Sequence, residues 1–191
     1  MTDSKRKIIV AVAGASGSVY AQKLIASLSA LKPAPAEIAV VFSETAREIW
    51  EAEIGGRFEP VPPAKIYENE NFLAPFASGS STFDTMIICP SSMGTLGRIA
   101  NGVSDDLICR AADVMLKERR RLIIVPRETP YNLIHIRNME TLTLAGAVIC
   151  PATPSFYSKP KAIDDLVMTV VDRVITLAGF EGDSYHWMED D

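Results

Sequence analysis

Histidine and cysteine are scarce in this 191-residue chain, and no apolar run is long. Two histidines (His135, His186) and three scattered cysteines (Cys89, Cys109, Cys150) are too few for a histidine-based metal centre or a zinc site. An odd number of cysteines so far apart is not a disulfide framework either. They read as small buried hydrophobes in a reducing cytoplasm. No stretch reaches the ~20 apolar residues that span a bilayer. Lys5-Arg6-Lys7 precedes an apolar run, but glycines interrupt that run too soon for a signal peptide. A net charge of −5 removes any general attraction to nucleic acid or to an anionic membrane. Repeats, low-complexity tracts and linkers are lacking too, so residues 1–191 read as one domain.

What is present begins at Ile8. The run IIVAVAGASGSVY (Ile8–Tyr20) is a buried strand that breaks into Gly14-Ala15-Ser16-Gly17. Val19, Ala21, Leu24, Ile25, Leu28 and Leu31 follow at helical spacing. Strand, glycine turn and helix bring free amides and a positive helix end to one point, which suits an anion. Gly14 and Gly17 let a phosphate or a planar ring approach the main chain, and Ser16 adds a hydroxyl. The dinucleotide fingerprint needs a third glycine and an acid closing the second strand. Here the third glycine is missing and Glu37 precedes Ile38–Phe42. That argues against NAD and leaves a mononucleotide such as FMN. Tight helix–strand packing is the alternative explanation of the same glycines.

Strand-like runs recur at Ile8–Ala13, Glu37–Phe42, Thr85–Cys89, Leu122–Val125 and Ala147–Cys150. Helical patterns separate them, at about 18–31, 44–54, 93–101 with 105–119, 135–144 and 161–178. The alternation predicts an α/β domain of three layers, a parallel sheet with helices on both faces. Such sheets bind ligands beyond the carboxyl ends of their strands. Those ends carry Gly14–Gly17, Ser43, Pro90–Thr95, Pro126-Arg127-Glu128 and Pro151. Residues 55–84, with three prolines in Pro60–Pro63, read as a long functional or interface loop. Eight of the 19 basic residues fall between Arg98 and Arg137. Arg119, Arg120 and Arg121 read as a solvated helix face, whereas Arg110, Lys117 and Arg127 suggest a further role.

Several motifs together resemble one family. They are GASG after the first strand, Ser43 after the second, ASGSS at 77–81, ICPSSMGTL at 88–96, RAADVMLKERRRLIIVPRETP at 110–130, and the pair Tyr157 and Arg173. With these the chain is similar to the UbiX-like flavin prenyltransferases, over about residues 7–187. The resemblance implies a flavodoxin/Rossmann-like domain that uses reduced FMN and dimethylallyl phosphate, needs no metal and assembles as a homododecamer. The product implied is prenylated FMN for a UbiD-type decarboxylase.

The resemblance also implies roles. Ser16, Glu53 and Glu128 stand at catalytic positions: Ser16 near flavin N5, Glu128 able to move a proton. Gly14, Ala15, Ser16, Ser43, Ser92, Met93, Gly94, Thr95 and Arg127 would hold FMN. Lys117, Arg127, Tyr157 and Arg173 would clamp the substrate phosphate, since a dianion held away from water needs about two or three charge-assisted bonds. Ser78 and Arg110 are further candidates, and Trp187 could cover an isoprenoid or flavin face. N5 would displace phosphate from the allylic carbon, then C6 would close a fourth ring, with Glu128 or the retained phosphate handling the proton.

Taken singly, these residues have plainer readings. Glu53 fits the exposed face of an amphipathic helix, Lys117 a solvated helix end and Tyr157 a core position. Arg173 is different, because a charge beside Val170, Val171, Val174 and Leu177 wants a partner. Ala13 stands where relatives often have threonine, and Ser91 where cysteine is frequent. Competing functions are an FMN-dependent cysteine decarboxylase of the phosphopantothenoylcysteine type and a non-catalytic flavin carrier. The former would need an active-site histidine absent from the first helix; the latter would not need a second phosphate site.

Overall fold

The computed structural model describes residues 6–181. Its strands are β1 (Lys7–Val12), β2 (Glu37–Phe42), β3 (Ala64–Glu68), β4 (Thr85–Ser91), β5 (Arg121–Pro126) and β6 (Val148–Ile149). The helices are α1 (Ser18–Ala30), α2 (Glu44–Glu53), α3 (Met93–Ala100), α4 (Leu107–Lys117), α5 (Leu133–Leu144) and α6 (Ile163–Leu177), with a 3-10 turn at Pro75–Ala77. All strand pairings are parallel, in the order β3-β2-β1-β4-β5-β6. The chain therefore reverses its direction of travel between β1 and β4. Residues that leave the sheet on either side of that reversal line a crevice at its carboxyl end.

Side chains alternate along β1 and divide the core in two. Ile8, Val10 and Val12 join Leu24, Leu28, Trp50, Val171 and Val174 beneath α1, α2 and α6. Ile9, Ala11 and Ala13 join Leu96, Ile108, Ala112, Met115 and Leu142 beneath α3, α4 and α5. A strand buried on both faces has no polar positions to spare, which explains its unbroken apolar run.

The segment 55–84 is more than a loop. It contains β3, which pairs with β2 from Ile38↔Ala64 to Phe42↔Glu68 and makes the sheet edge. Phe76 and Phe83 are buried, Tyr67 packs on Phe76, and Phe58 closes an aromatic triangle with Phe42 and Trp50 at centroid distances of 5.3–5.5 Å. Only Phe72 and Leu73 of this stretch's large apolar residues, with Val61, are left exposed.

The arginines at 120 and 121 are not on a helix, and both bind main-chain carbonyls, although Arg121 is exposed. Arg120 donates to the carbonyls of Gly79 and Phe83, pinning the ASGSS segment. Arg121 donates to Ala178 O at 2.6 Å, where Arg6 also binds. Arg6 is buried, donates to Asp84, Thr85 and the carbonyls of Ala178 and Gly179, and lies 4.2 Å from the Phe180 ring centre. Two guanidinium groups thus satisfy the carbonyls that end α6, where the helix dipole favours positive charge. Gly179, at φ +82°, fits there because a side chain would run into Arg121.

Candidate active site

Four turns meet at the carboxyl end of the sheet. Gly14–Gly17 follows β1, Ser43 follows β2, Ser92–Thr95 follows β4 and Arg127 follows β5. The two glycines of the first turn have reasons inside the protein. A Cβ on Gly14 would lie 2.9 Å from Thr45 Cβ of α2, and Gly17 has φ +114°. Packing and backbone geometry require them, as the alternative reading held.

The anion-binding amides of this turn are already engaged. Glu53, the last residue of α2, accepts hydrogen bonds from Gly17 N at 2.9 Å and Ser18 N at 2.8 Å. Its carboxylate caps α1, where negative charge is favoured. Partial burial pushes the Glu53 pKa up, but hydrogen bonds from the Ser16 hydroxyl and from the Gly17 and Ser18 amides outweigh it and hold the group below the ordinary glutamate range. Glu53 is therefore ionised and, although exposed, is held in place by the amides that open α1. Arg127 reaches across from β5 and donates from Nε to Ser16 O at 2.9 Å. Ser16, Glu53 and Arg127 form one connected group.

A phosphate must sit elsewhere. Ser43 caps α2 and accepts from Ala46 N; Ser92 caps α3, accepts from Thr95 N and donates to Thr95 Oγ1. The first turn of α2 carries Glu44, whereas that of α3 carries no acid. A Cβ on Gly94 would meet only Ser92 Oγ, at 3.9 Å, so the α3 end is open. Met93 and Thr95 are buried beneath it. The residues present thus suit the phosphate of a mononucleotide at α3, while Glu37, at the foot of β2 with Lys7 and Tyr67, is out of reach of any ribose. Ala15 is buried and Ser16 exposed, so the serine is the part of the turn offered outward.

The remaining candidates do not join this group within one chain. Glu128, next to Arg127, accepts from Thr129 N. Tyr157 and Arg173 line a separate cavity of about 710 Å³ between α6 and the segment after β6, and neither Lys117 nor Arg127 is in its wall. Lys117 ends α4 before β5 begins, whereas Arg127 follows the end of β5. A six-residue strand, about 20 Å at ~3.3 Å per residue, separates them, so one chain cannot close both on one phosphate. Lys117 pairs with Glu118 beside Gly79, next to Ser78, which shares a hydrogen bond with Ser80. Arg110 binds Ala77 O and Asp113. Trp187 lies outside the described residues. The sequence reading missed Thr45, which sets Gly14, and the lysines of the Tyr157 cavity, Lys159 and Lys161.

Among the described residues, Asp105, Asp106 and Cys109 come close enough together to hold an ion. Both carboxylates bind Arg98 at 2.7 Å, Asp106 also caps α4, and burial pushes the Cys109 thiol up to about 12. The group is accounted for by charge pairing and capping.

Relatives share this arrangement of elements over nearly their whole length. A family model described as Flavoprotein matches residues 1–175. The chain is 44% identical over 177 residues to the flavin prenyltransferase UbiX of Methanocaldococcus jannaschii, covering 92% of this chain and 94% of that one. It is 38% identical to the Pseudomonas aeruginosa UbiX, covering 93% and 91%. The chain belongs to the flavin prenyltransferase family. Among solved family structures, AnUbiX (PadA1) in complex with FMN and dimethylallyl pyrophosphate is similar at TM-score 0.85 and 42% identity, covering 96% and 97%. A dodecameric FMN-dependent UbiX-like decarboxylase from Escherichia coli O157:H7 has TM-score 0.87 at 36% identity, covering 95% and 99%. Beyond the family the likeness thins to fold alone: the epidermin biosynthesis protein EpiD of Staphylococcus aureus is similar at TM-score 0.58 and 24% identity. No helix among the described residues is long and apolar enough to cross a membrane.

Proposed function

We propose that this chain joins the dimethylallyl group of dimethylallyl phosphate to N5 and C6 of reduced FMN, and that the prenylated FMN serves a UbiD-type decarboxylase. The observation that carries the reading is the Ser16–Glu53–Arg127 group at the sheet reversal, beside the open α3 end. Bound there, reduced FMN supplies the nucleophilic N5. Ser16, donating to Glu53, keeps its lone pairs for the N5 hydrogen and so orients the nitrogen. The N5–C1 bond forms as the C1–O bond breaks, with the electron pair leaving on phosphate. The N5 proton can pass through Ser16 to the ionised Glu53. Ring closure is proton-neutral: a proton added at C2 of the alkene leaves C3 cationic, C6 bonds to C3, and the C6 proton departs. Glu128 and the departing phosphate are the groups for those transfers.

The phosphate clamp is assembled between copies of the chain. Lys117 and Arg127 stand at opposite ends of β5, so the clamp is complete only where a neighbour brings its own residues to the Arg127 end. Tyr157 and Arg173 join it in the same way. A homo-oligomer, a dodecamer as in the Escherichia coli neighbour, provides that contact. The three free cysteines agree with a cytoplasmic setting. The test is incubation of the purified protein with reduced FMN and dimethylallyl phosphate in EDTA. Prenylated FMN should appear by mass and spectrum; unchanged flavin would sink the reading.

A further inference from the structure

The open end of α3 has a cation one turn behind it. Arg98 is the only basic residue between Ser92 and Asp106. A basic residue in the last turn of a helix is ordinarily explained by the dipole. Arg98 is placed differently, since its side chain runs back toward the start of α3, the direction in which helical side chains lean. Its Nη2 lies 3.5 Å from Thr95 Oγ1, and no main-chain carbonyl among the described residues accepts from it. Its Nη1 binds Asp105 Oδ1 and Asp106 Oδ2, each at 2.7 Å. The guanidinium therefore has two carboxylates on one amino group and the Thr95 hydroxyl on the other.

Thr95 is only 4% exposed, and its hydroxyl oxygen accepts from Ser92 Oγ at 3.1 Å. With Arg98 as a second, longer donor, both lone pairs of that oxygen are met and its own hydrogen is left over. Among the described residues nothing accepts it. A buried hydroxyl at an open helix end, with its hydrogen unused, is arranged to donate to a ligand oxygen. The acids explain why a cation is needed beside it. Asp106 caps α4 through Cys109 N. Burial pushes the Asp106 pKa up, but hydrogen bonds from the Cys109 amide and from Arg98 outweigh this and keep it ionised. Without Arg98, two carboxylates would stand uncompensated close to a phosphate that has nearly two negative charges of its own.

Resting on the reading that the chain uses FMN with its phosphate at α3, we propose that Arg98 is a positioning residue of the phosphate subsite. It screens the phosphate from Asp105 and Asp106 and holds Thr95 Oγ1 as a donor toward it. Arg98 thereby sets how strongly the site prefers FMN to a flavin that lacks the phosphate. A phosphate oxygen bonded to Thr95 Oγ1 would lie within about 6 Å of Nη2, near enough for the charge to act without direct contact.

The experiment measures dissociation constants for FMN and riboflavin by fluorescence quenching, without prenyl donor, in the native protein, Arg98→Met, Asp105→Asn and the double variant. Native protein should prefer FMN. Arg98→Met should weaken FMN about tenfold or more and riboflavin less than about twofold. Asp105 is the more exposed of the two acids and does not cap α4. Asp105→Asn should therefore tighten FMN by about twofold, leave riboflavin unmoved, and recover part of the loss when added to Arg98→Met. Should Arg98→Met fail to fold, Asp105→Asn alone decides, and an unmoved preference overturns the proposal. If Arg98 only ties α3 to the start of α4, its loss weakens both flavins together, which overturns it as well. Unmoved flavin affinities with a raised KM for dimethylallyl phosphate would assign Arg98 to the donor instead. Equal native affinity for the two flavins would take the phosphate away from α3 and leave prenyl transfer standing. Native protein that binds neither flavin would remove the FMN reading and this proposal together.

Discussion

Arg127 donates from Nε to the main-chain oxygen of Ser16 at 2.9 Å, joining residues 111 positions apart in the chain. The bond fixes the turn after β1 against the end of β5. It leaves the Ser16 side chain free for Glu53 and a ligand.

Ser16→Ala should therefore slow prenylation more than it weakens FMN. One neutral hydrogen bond contributes about 0.5–1.5 kcal/mol, so turnover should fall roughly threefold to tenfold while purified protein keeps its flavin. Single-turnover rates and the FMN content of the variant check this. A variant that purifies without flavin would make Ser16 an anchor instead of an orienting group.

Glu53 links stability to acid. Its folded pKa is lowered, so its contribution is fully present above the ordinary value of 4.5 and is lost as pH falls through the lowered folded value. Glu53→Gln removes the titrating charge but keeps an acceptor for Gly17 and Ser18. Its melting temperature should be lower than native at pH 7 and converge with it as the pH falls below that window. Parallel melting curves down to pH 3 would contradict the assignment.

Arg173→Ala should abolish most prenylation while FMN stays bound. Charge-assisted hydrogen bonds contribute about 1.5–3 kcal/mol, or roughly ten- to a hundredfold in turnover. Arg173→Lys should recover only part, since an ammonium lacks the planar fork. Native rates in the alanine variant would confine the phosphate clamp to Lys117 and Arg127.

Lys117→Ala and Arg127→Ala should each be inactive alone and should complement when mixed. Co-assembled oligomers would contain some clamps with both residues intact, built across a boundary, and should regain a measurable fraction of native activity. Mixtures as inactive as their components would place each clamp within a single chain.

Gly179→Ala is expected to destabilise without touching the site. A Cβ there meets Arg121 and must adopt φ +82°, which costs an L-residue about 1–2 kcal/mol before any clash. The denaturation midpoint should drop while the affinity for FMN is unchanged.

Much of this architecture is legible in the sequence because buried parallel strands are apolar on both faces. β1, β2, β4 and β5 stand out as runs such as IIVAV and LIIVP. β3 does not: AKIYE mixes charge with apolar residues and follows Pro60–Pro63, and what makes it a strand is its pairing with β2. Arg120 and Arg121 look solvated in sequence because their acceptors are main-chain carbonyls of residues 79, 83 and 178, which carry no sequence signal. The same is true of Glu53, whose partners are amides 35 and 36 positions away. The separation of Lys117 from Arg127 was readable, since a complete strand lies between them. Similarity of motifs says which residues act together, and says nothing of which copy supplies them.

The β1–β4 pairing has a consequence for synthesis. Ile8 of β1 meets Thr85 of β4, and every residue between must be made first. At about 5–20 residues per second, roughly 4–15 s pass before β4 is made, during which β1 has no partner until β2 is complete and then pairs with β2 on one side only. Throughout that interval the other edge of β1 presents unpaired amides and carbonyls along an apolar strand, a template for association with any neighbouring chain. Nascent chains halted after β3 should aggregate and be cut readily by protease, and chains extended past β4 should resist both. Early protection in the shorter chains would show that the first three strands shield themselves.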